Sequence, residues 1–235
     1  MPLNNECVIV TGASGHLGSV VARTLARKGA HVVCVDRAER KFDTTEDGIN
    51  PDRILWITGQ DISVKSAMDD VVAKAVSHFG KVTGLVNAVG GFTTGKVMTD
   101  ALEQWDLMML LNAKIALVTS VAVLPAMMTA GRGRLVHIAA QPGIKATGGQ
   151  AAYAASKAAV IRLVESIAAE HRADRITANC VLPGTIDTPV NRAAMPNAKP
   201  DVWVTPAAIA NLIAYLVSPE GAVVTGAAIP ATALV

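Results

Sequence analysis

The sequence predicts a single α/β domain in which a doubly wound parallel β-sheet carries helices on both faces. Three observations predict this class. Apolar runs of strand length alternate with helical segments, these runs are almost continuously hydrophobic, and a glycine-rich turn joins the first run to the first helix. Continuous apolar strands indicate a parallel sheet that helices cover from both sides. The 235 residues show no repeat or linker, so the predicted domain is 1–235.

The elements follow one another in alternating order. The first strand, "CVIVTG", and the second, "HVVCVD", are rich in β-branched residues, whereas "GSVVARTLARKG" has helical periodicity and ends at Gly29. By the same criteria, strands are predicted at 7–12, 31–36, 53–59, 83–91, 134–140, 175–184 and 222–230, and helices at 18–29, 64–80, 107–128, 153–171 and 206–218.

The helix at 107–128 is apolar enough to resemble a membrane span. It contains Asn112, Lys114 and Pro125, which are costly in a lipid bilayer. We therefore expect a helix that is buried on several sides in a soluble protein, with no membrane partner.

Composition narrows the function further. The 21 basic and 19 acidic residues form no block of either sign, so no nucleic-acid partner is expected. The three cysteines fall in apolar runs and the histidines lack ligand spacing, which predicts reduced thiols and no metal. The segment "MPLNNE" has no features of an export signal, and a cytoplasmic location is predicted.

The glycine-rich turn "VTGASGHLGSVVA" carries the first functional signal. Gly12, Gly15 and Gly18 would let backbone amides approach a diphosphate at a helix N-terminus, although a purely structural turn has the same pattern. Asp36 ends the second strand 36 − 18 = 18 residues after the last glycine, where an acid can accept from ribose hydroxyls. The turn lacks the ending of a P-loop, so a dinucleotide is the expected ligand.

The residue type at position 36 also bears on which dinucleotide binds. The Asp36 carboxylate would repel a 2′-phosphate, which favours NAD(H). Arg37 could pair with that phosphate, so NADP(H) stays possible.

A tyrosine and a lysine four residues apart suit proton transfer. On a helix, Tyr153 and Lys157 would share one face and could point into one cleft, although two exposed helix residues give the same spacing. A phenol has an ordinary pKa of about 10. A nearby ammonium, together with the positive charge of an oxidised nicotinamide, is expected to lower the pKa of Tyr153.

Taken together, these motifs resemble the short-chain dehydrogenases/reductases over almost the whole chain. The similarity is carried by "TGASGHLG", "QDIS", "NAVGG" at 87–91, Asn112 within the apolar helix, "YAASK" at 153–157 and "PGTIDTP" at 183–189, in the order typical of the family. The resemblance implies a Rossmann-type fold, a nicotinamide cofactor and hydride transfer to a small-molecule substrate.

The resemblance also implies roles for single residues. Tyr153 would be the proton donor, Lys157 would tune it, and Asn112 would hold a water that links the lysine to solvent. His16 stands where family members have glycine, and it could face the diphosphate or be solvated. The implied cofactor contacts are Gly12, Ser14, Gly15, His16, Leu17, Gly18, Asp36, Arg37, Asp61, Ile62, Asn87, Ala88, Val89, Gly90, Tyr153, Lys157, Pro183, Gly184, Ile186 and Thr188.

One expected residue is absent. The family's serine, usually 13 residues before the tyrosine, falls at 153 − 13 = 140, and positions 139 and 140 are both alanine. Three explanations are open. The substrate does not need that hydrogen-bond donor, Gln141 or Gln150 supplies a replacement donor, or the protein has lost catalysis. Within the family the chain is most similar to the dihydropteridine reductases, which also have alanine there and reduce a conjugated C=N system. An ordinary alcohol/ketone dehydrogenase using Gln141 and a non-catalytic dinucleotide-binding sensor or scaffold are the alternatives.

Segments that follow the strands are expected to form the substrate pocket. Phe92, Gln141, Gln150, Met195 and Trp203 are the predicted contacts, and residues 190–204 form a predicted substrate loop. Packing in the core or between subunits is the alternative for Met195 and Trp203. In relatives, helices equivalent to 107–128 and 153–169 pair between subunits, which implies a homodimer or a homotetramer.

Overall fold

The predicted fold class is confirmed: seven parallel strands form one sheet in the order β3-β2-β1-β4-β5-β6-β7. This computed structural model describes residues 2–39, 42–44 and 48–233. The strands are β1 (Cys7–Thr11), β2 (His31–Asp36), β3 (Ile54–Thr58), β4 (Gly84–Asn87), β5 (Gly133–Ile138), β6 (Ile176–Pro183) and β7 (Ala228–Ala231). The helices are α1 (His16–Arg27), α2 (Lys65–Phe79), α3 (Ala101–Met108), α4 (Ile115–Thr129), α5 (Ala151–Glu170), α6 (Pro189–Ala194) and α7 (Pro206–Leu216).

The strands are apolar throughout because both faces of the sheet are covered. Side chains alternate between the two faces, so Ile9 packs in the layer with α2, α4 and α5, whereas Val8 and Val10 pack in the layer with α1 and α7. All three side chains are fully buried. The continuous hydrophobic runs of the sequence therefore have a direct structural cause.

The chain reverses its direction across the sheet between β1 and β4. These two strands are neighbours, with β2 and β3 on one side and β5, β6 and β7 on the other. The Thr11 hydroxyl donates to Asn87 Oδ1 at 2.5 Å and links the carboxyl ends of the two strands. Ligands of such sheets bind in the crevice at this position.

The long apolar helix differs in detail from its predicted form. It runs from Ala101 to Thr129, and a π-helical turn, Met109–Lys114, separates α3 from α4. Among the described residues it is the one helix that is long and apolar enough to cross a membrane, yet 44% of its most apolar stretch is buried inside the protein. It packs against α2, α5, β4 and β5, as expected for a helix of the α/β core.

Two segments in the carboxyl-terminal part of the chain also differ from the prediction. The last strand, predicted at 222–230, covers only Ala228–Ala231, because Glu220–Val223 forms a 3-10 turn. Helix α6, which was not predicted, begins at Pro189, and the Thr188 side chain caps it by accepting from the Asn191 backbone N–H at 3.2 Å.

The glycine-rich turn joins β1 to α1 at close range. Gly12 has a positive φ of 68°, which favours glycine. A Cβ atom on Gly18 would overlap the carbonyl oxygen of Gly12, so glycine is the residue that lets α1 begin so near the end of β1.

We predict that Gly18→Ala lowers the free energy of unfolding by about 1–3 kcal/mol, because the added methyl group meets rigid backbone. Urea denaturation measures the change. Gly148→Ala is the matched control, since Gly148 has open space around its Cβ position and no positive φ. Equal stability of the two variants would contradict the close packing of the turn.

Candidate active site

The carboxyl ends of the strands enclose a cleft of about 610 Å³. It is bordered by the loops that follow β4, β5 and β6 and by the first turns of α1 and α5. Of the residues predicted from the sequence, those that line it are Leu17, Ala88, Val89, Gly90, Phe92, Gln141, Gln150, Tyr153, Lys157, Pro183, Gly184, Ile186 and Met195. Gly91, which follows the fourth strand, and Asn191, which lies in the predicted substrate loop, also line it, as do Ile138, Pro142 and Thr185, which were not predicted.

Tyr153 and Lys157 point into this cleft together. Both lie in the first two turns of α5, and the Lys157 Nζ is 5.8 Å from the centre of the Tyr153 ring. The Lys157 ammonium donates to the Ile138 carbonyl oxygen at 2.8 Å, so the carboxyl end of β5 holds it. The expectation that the two side chains share a helix face and a cleft agrees with this geometry.

Burial controls the proton affinities of the pair. It raises the pKa of Tyr153 to about 12 and lowers the pKa of Lys157 to about 8, with Cys180 acting in the opposite direction on the lysine. Lysine was expected to lower the pKa of the phenol. Burial sets the pKa of the phenol in the protein alone, and the expected lowering by Lys157 together with an oxidised nicotinamide stays a prediction.

Phe92 covers the phenol ring. Its ring meets the Tyr153 ring edge to face, with centroids 4.9 Å apart and an interplanar angle of 87°. Phe92 itself is 60% exposed, so it forms the outer wall between Tyr153 and solvent.

Asn112 lies behind the cleft, in the π-helical turn. Its Oδ1 accepts from the Gly91 backbone N–H at 2.9 Å, and its Nδ2 donates to the Gly91 carbonyl at 3.1 Å and to the Ser156 hydroxyl at 2.9 Å. The amide thus ties the loop after β4 to α5. Asn112 is fully buried and does not line the cleft, so its predicted link through water to Lys157 stays a prediction.

The end of β5 presents methyl groups to the cleft. Ala139 and Ala140 are both buried and both line it. Gln141 begins a 3-10 turn directly after them, and the Oε1 of Gln150 accepts from the Thr147 hydroxyl at 2.9 Å. Of the two candidate replacements for the serine, Gln141 directly follows the strand end, whereas Gln150 lies farther along the chain and uses its Oε1 within its own loop.

Asp36 lies at the carboxyl end of β2 and is held as a carboxylate. It accepts from the backbone N–H groups of Ser14 at 3.0 Å and Ala38 at 3.1 Å. Partial burial raises the pKa of Asp36, but the hydrogen bonds from Ser14, Ala38 and Arg37 outweigh it, and the net pKa is lowered. Arg37 is exposed beside it.

The next predicted adenine contacts are Asp61 and Ile62. The exposed Asp61 carboxylate accepts from the Ser63 backbone N–H and hydroxyl, while Ile62 is buried. Their predicted contacts with the adenine are not tested by this geometry.

The residues present fit a dinucleotide. A hollow of about 310 Å³ lies at the N-terminus of α1, where Ser14, Gly15, the exposed His16 and Ser19 line it. Farther along, a Cβ on Gly90 would come within 2.8 Å of Asn112 Oδ1 and 3.2 Å of Lys157 Nζ. The backbone amides at the N-terminus of α1 attract anions, which suits the diphosphate of a dinucleotide.

Two predicted contacts lie elsewhere. Trp203 was predicted to touch substrate, and this is wrong: it is only 7% exposed and does not line the cleft. The bridge between Ile186 and Val204 draws this segment into the protein. Thr188 is also buried, with its hydroxyl used in capping α6, and its predicted cofactor contact stays a prediction.

Among the residues that the structure describes, no group of three or more His, Cys, Asp or Glu side chains could hold a metal ion.

Comparisons with known proteins agree with this architecture. A family model described as short chain dehydrogenase matches residues 6–199. The 3-oxoacyl-[acyl-carrier-protein] reductase FabG of Escherichia coli is 33% identical over 236 residues, covering 96% of this chain and 95% of that protein. An uncharacterized oxidoreductase of Staphylococcus epidermidis is 30% identical over 189 residues, covering 80% of this chain and 81% of its own.

A solved structure bears on the fold. A short-chain type dehydrogenase/reductase from Mycobacterium ulcerans superposes with a TM-score of 0.90 at 23% identity, covering 98% of this chain and 89% of that one. The chain belongs to the short-chain dehydrogenase/reductase family and is an NAD(P)-dependent oxidoreductase. This assignment replaces the alternative of a non-catalytic sensor or scaffold.

Proposed function

We propose that the protein reduces a conjugated C=N bond of a small molecule with hydride from NADH, as a dihydropteridine reductase does. The observation that carries this proposal is the methyl-lined end of β5, where Ala139 and Ala140 border the cleft beside Tyr153. A ketone oxygen gains from a second hydrogen-bond donor as charge builds on it. A conjugated ring system spreads that charge and needs no such donor.

In this proposal the proton moves from Tyr153. A bound reduced nicotinamide supplies the hydride. The Tyr153 hydroxyl donates its proton to the substrate heteroatom on which negative charge develops. Lys157, held by the Ile138 carbonyl at 2.8 Å, places a positive charge beside the phenolate that results. Phe92 covers the ring and keeps water from competing for that proton.

The proposed cofactor is NAD(H), with NADP(H) as the alternative. The support is the Asp36 carboxylate, whose negative charge is maintained by hydrogen bonds from Ser14 and Ala38. A 2′-phosphate beside it would be repelled. The diphosphate would lie at the turn of Gly12, Ser14 and Gly15, and the nicotinamide end beside the segment 183–188.

Carbonyl reduction is the second candidate. The E. coli relative bears the name of a 3-oxoacyl-[acyl-carrier-protein] reductase, and its reaction is a ketone reduction. Gln141 lines the cleft immediately after Ala140, so its side-chain amide is the group that would donate in the place of the serine.

The substrate would lie between Tyr153 and the loop 190–204. Met195 lines the cleft, is 39% exposed and offers a flexible apolar contact to a flat ring. Phe92 and Gln150 also line this cleft and would border the substrate.

We further propose a cytoplasmic homodimer or homotetramer that assembles through α3, α4 and α5. An apolar hollow of about 470 Å³ on this face includes Met109, Leu110, Leu117 and Leu163, and Leu117 is 47% exposed. The buried free thiols suit a reducing compartment. Sedimentation as a monomer at micromolar concentration would contradict the assembly.

We predict that Tyr153→Phe lowers kcat by about 10²–10⁴-fold with a dihydropterin substrate and changes NADH binding much less, because the variant loses the proton-donating hydroxyl but keeps the ring. Stopped-flow NADH oxidation and NADH fluorescence measure the two effects. Wild-type turnover in this variant would contradict the role of Tyr153.

Ala140→Ser in the same assays separates the two candidate substrates. A dihydropterin should be reduced at nearly the wild-type rate, whereas a ketone panel should gain about tenfold or more from the added donor. Ketone turnover by the wild-type protein that exceeds dihydropterin turnover would replace the first candidate with the second.

We predict that Asp36→Asn lowers the preference for NADH over NADPH by about tenfold or more in kcat/KM, because the charge is removed. Asparagine keeps an oxygen that can accept from Ser14. Asp69→Asn is the matched control, since this exposed α2 carboxylate pairs only with Lys65 among the described residues. A wild-type preference for NADPH would overturn the NAD(H) proposal.

A further inference from the structure

A second polar cleft lies at the amino ends of the strands, opposite the candidate active site. Its volume is about 590 Å³, and it is formed by the amino ends of β5 and β6 and the turn Glu220–Val223. The catalytic cleft lies at the other end of the same strands. Since β5 alone spans six residues, the two clefts are separated by about 17 Å of strand.

Arginines dominate the wall of this second cleft. Arg132, Arg134, Arg172 and Arg175 all line it, and no acidic side chain is among the described residues that do so. The chain as a whole carries a net charge of only +2, so the cleft concentrates positive charge. Of these four arginines, Arg132 is the one that pairs with a carboxylate within the described part of the chain: its Nη2 lies 2.8 Å from Glu6 Oε1.

Arg134 is a buried cation whose direct hydrogen-bond partners are neutral. It is only 7% exposed, and its Nη1 donates to two neutral groups, the carbonyls of Gly133 at 2.7 Å and Arg175 at 3.0 Å. Within the described part of the chain no carboxylate lies at ion-pair distance from it. Burial lowers the pKa of Arg134, with Glu6 acting in the opposite direction and Arg132 in the same one. Buried charges are ordinarily paired.

The hydrogen-bonding capacity at this wall is also unfilled. The Nε of Arg134 and the Oγ1 of Thr177 are both buried, and neither has a hydrogen-bond partner among the described residues. Arg134 and Thr177 are opposite each other in the β5–β6 register, so both side chains project from the same face of the sheet. Two orphaned polar atoms side by side are rare in a native core.

We propose that this cleft binds a phosphate-type oxyanion. Its oxygens would accept from the Arg134 guanidinium and the Thr177 hydroxyl, and its charge would offset that of Arg134 and the exposed Arg172 and Arg175 at the rim. Guanidinium groups suit such anions because they offer several donors in one plane. A water molecule would satisfy the hydroxyl but would bring no negative charge to this cluster of arginines.

The site is tested by titrating the protein with sodium phosphate, with sodium chloride at equal ionic strength as the reference. Saturating NADH is present throughout, so that phosphate does not occupy the glycine-rich turn. Calorimetry should give a phosphate binding isotherm, and phosphate should raise the unfolding temperature more than chloride does. Thr177→Val, which keeps the β-branched shape, should weaken phosphate binding about tenfold, and Arg134→Lys should weaken it further.

Lys65→Gln is the matched control, because it removes one positive charge from α2, far from this cleft, and should leave phosphate binding unchanged. Equal effects of phosphate and chloride on the wild-type protein would overturn the proposal. Wild-type phosphate affinity in Thr177→Val would also overturn it, and that variant decides the matter if Arg134→Lys does not fold.

Discussion

The hydrogen bond from the Lys157 ammonium to the Ile138 carbonyl is the contact that fixes the geometry of the candidate active-site cleft. It joins α5, which carries Tyr153, to the end of β5, where the methyl groups of Ala139 and Ala140 begin. The 3-10 turn that follows β5 also packs closely against α5: a Cβ on Gly143 in that turn would come within 2.8 Å of the Lys157 backbone carbon. The strand end therefore determines where the lysine charge lies, and the helix determines where the phenol lies relative to that charge.

The π-helical turn supports this arrangement from behind. It places Asn112 where one amide can bind both the Gly91 backbone and the Ser156 hydroxyl, so the loop after β4 and the helix α5 are held to the same side chain. Such turns are rare and occur frequently at functional sites. Here it also leaves Gly90 facing Lys157, where any larger residue would collide. The hydrogen bonds of Asn112 to Gly91 and Ser156 therefore hold the loop and the helix together behind the cleft.

Much of the architecture could be predicted from the sequence because periodicity and glycine placement are local signals. The strand His31–Asp36 matches its predicted bounds, and the turn before α1 was recognised by its glycines. Trp203 could not be placed in this way, since its burial depends on a bridge between Ile186 and Val204 that local sequence does not specify. The raised pKa of Tyr153 in the protein alone could not be predicted for a similar reason: spacing along a helix shows which groups are near, but burial depends on the whole fold. The arginine cleft was missed because its members come from separate elements and meet only in three dimensions.

The central claim is that burial keeps the phenol protonated until a positive nicotinamide joins Lys157 beside it. Tyr153 and Tyr215 are the two tyrosines of the protein, so phenolate absorbance of the wild type and of Tyr153→Phe isolates one residue. Without cofactor, the account predicts a Tyr153 pKa of about 12. With saturating NAD⁺ it predicts a pKa below the ordinary value of about 10 in the wild type and no such fall in Lys157→Met. A Tyr153 pKa that is the same with and without NAD⁺ would contradict the account.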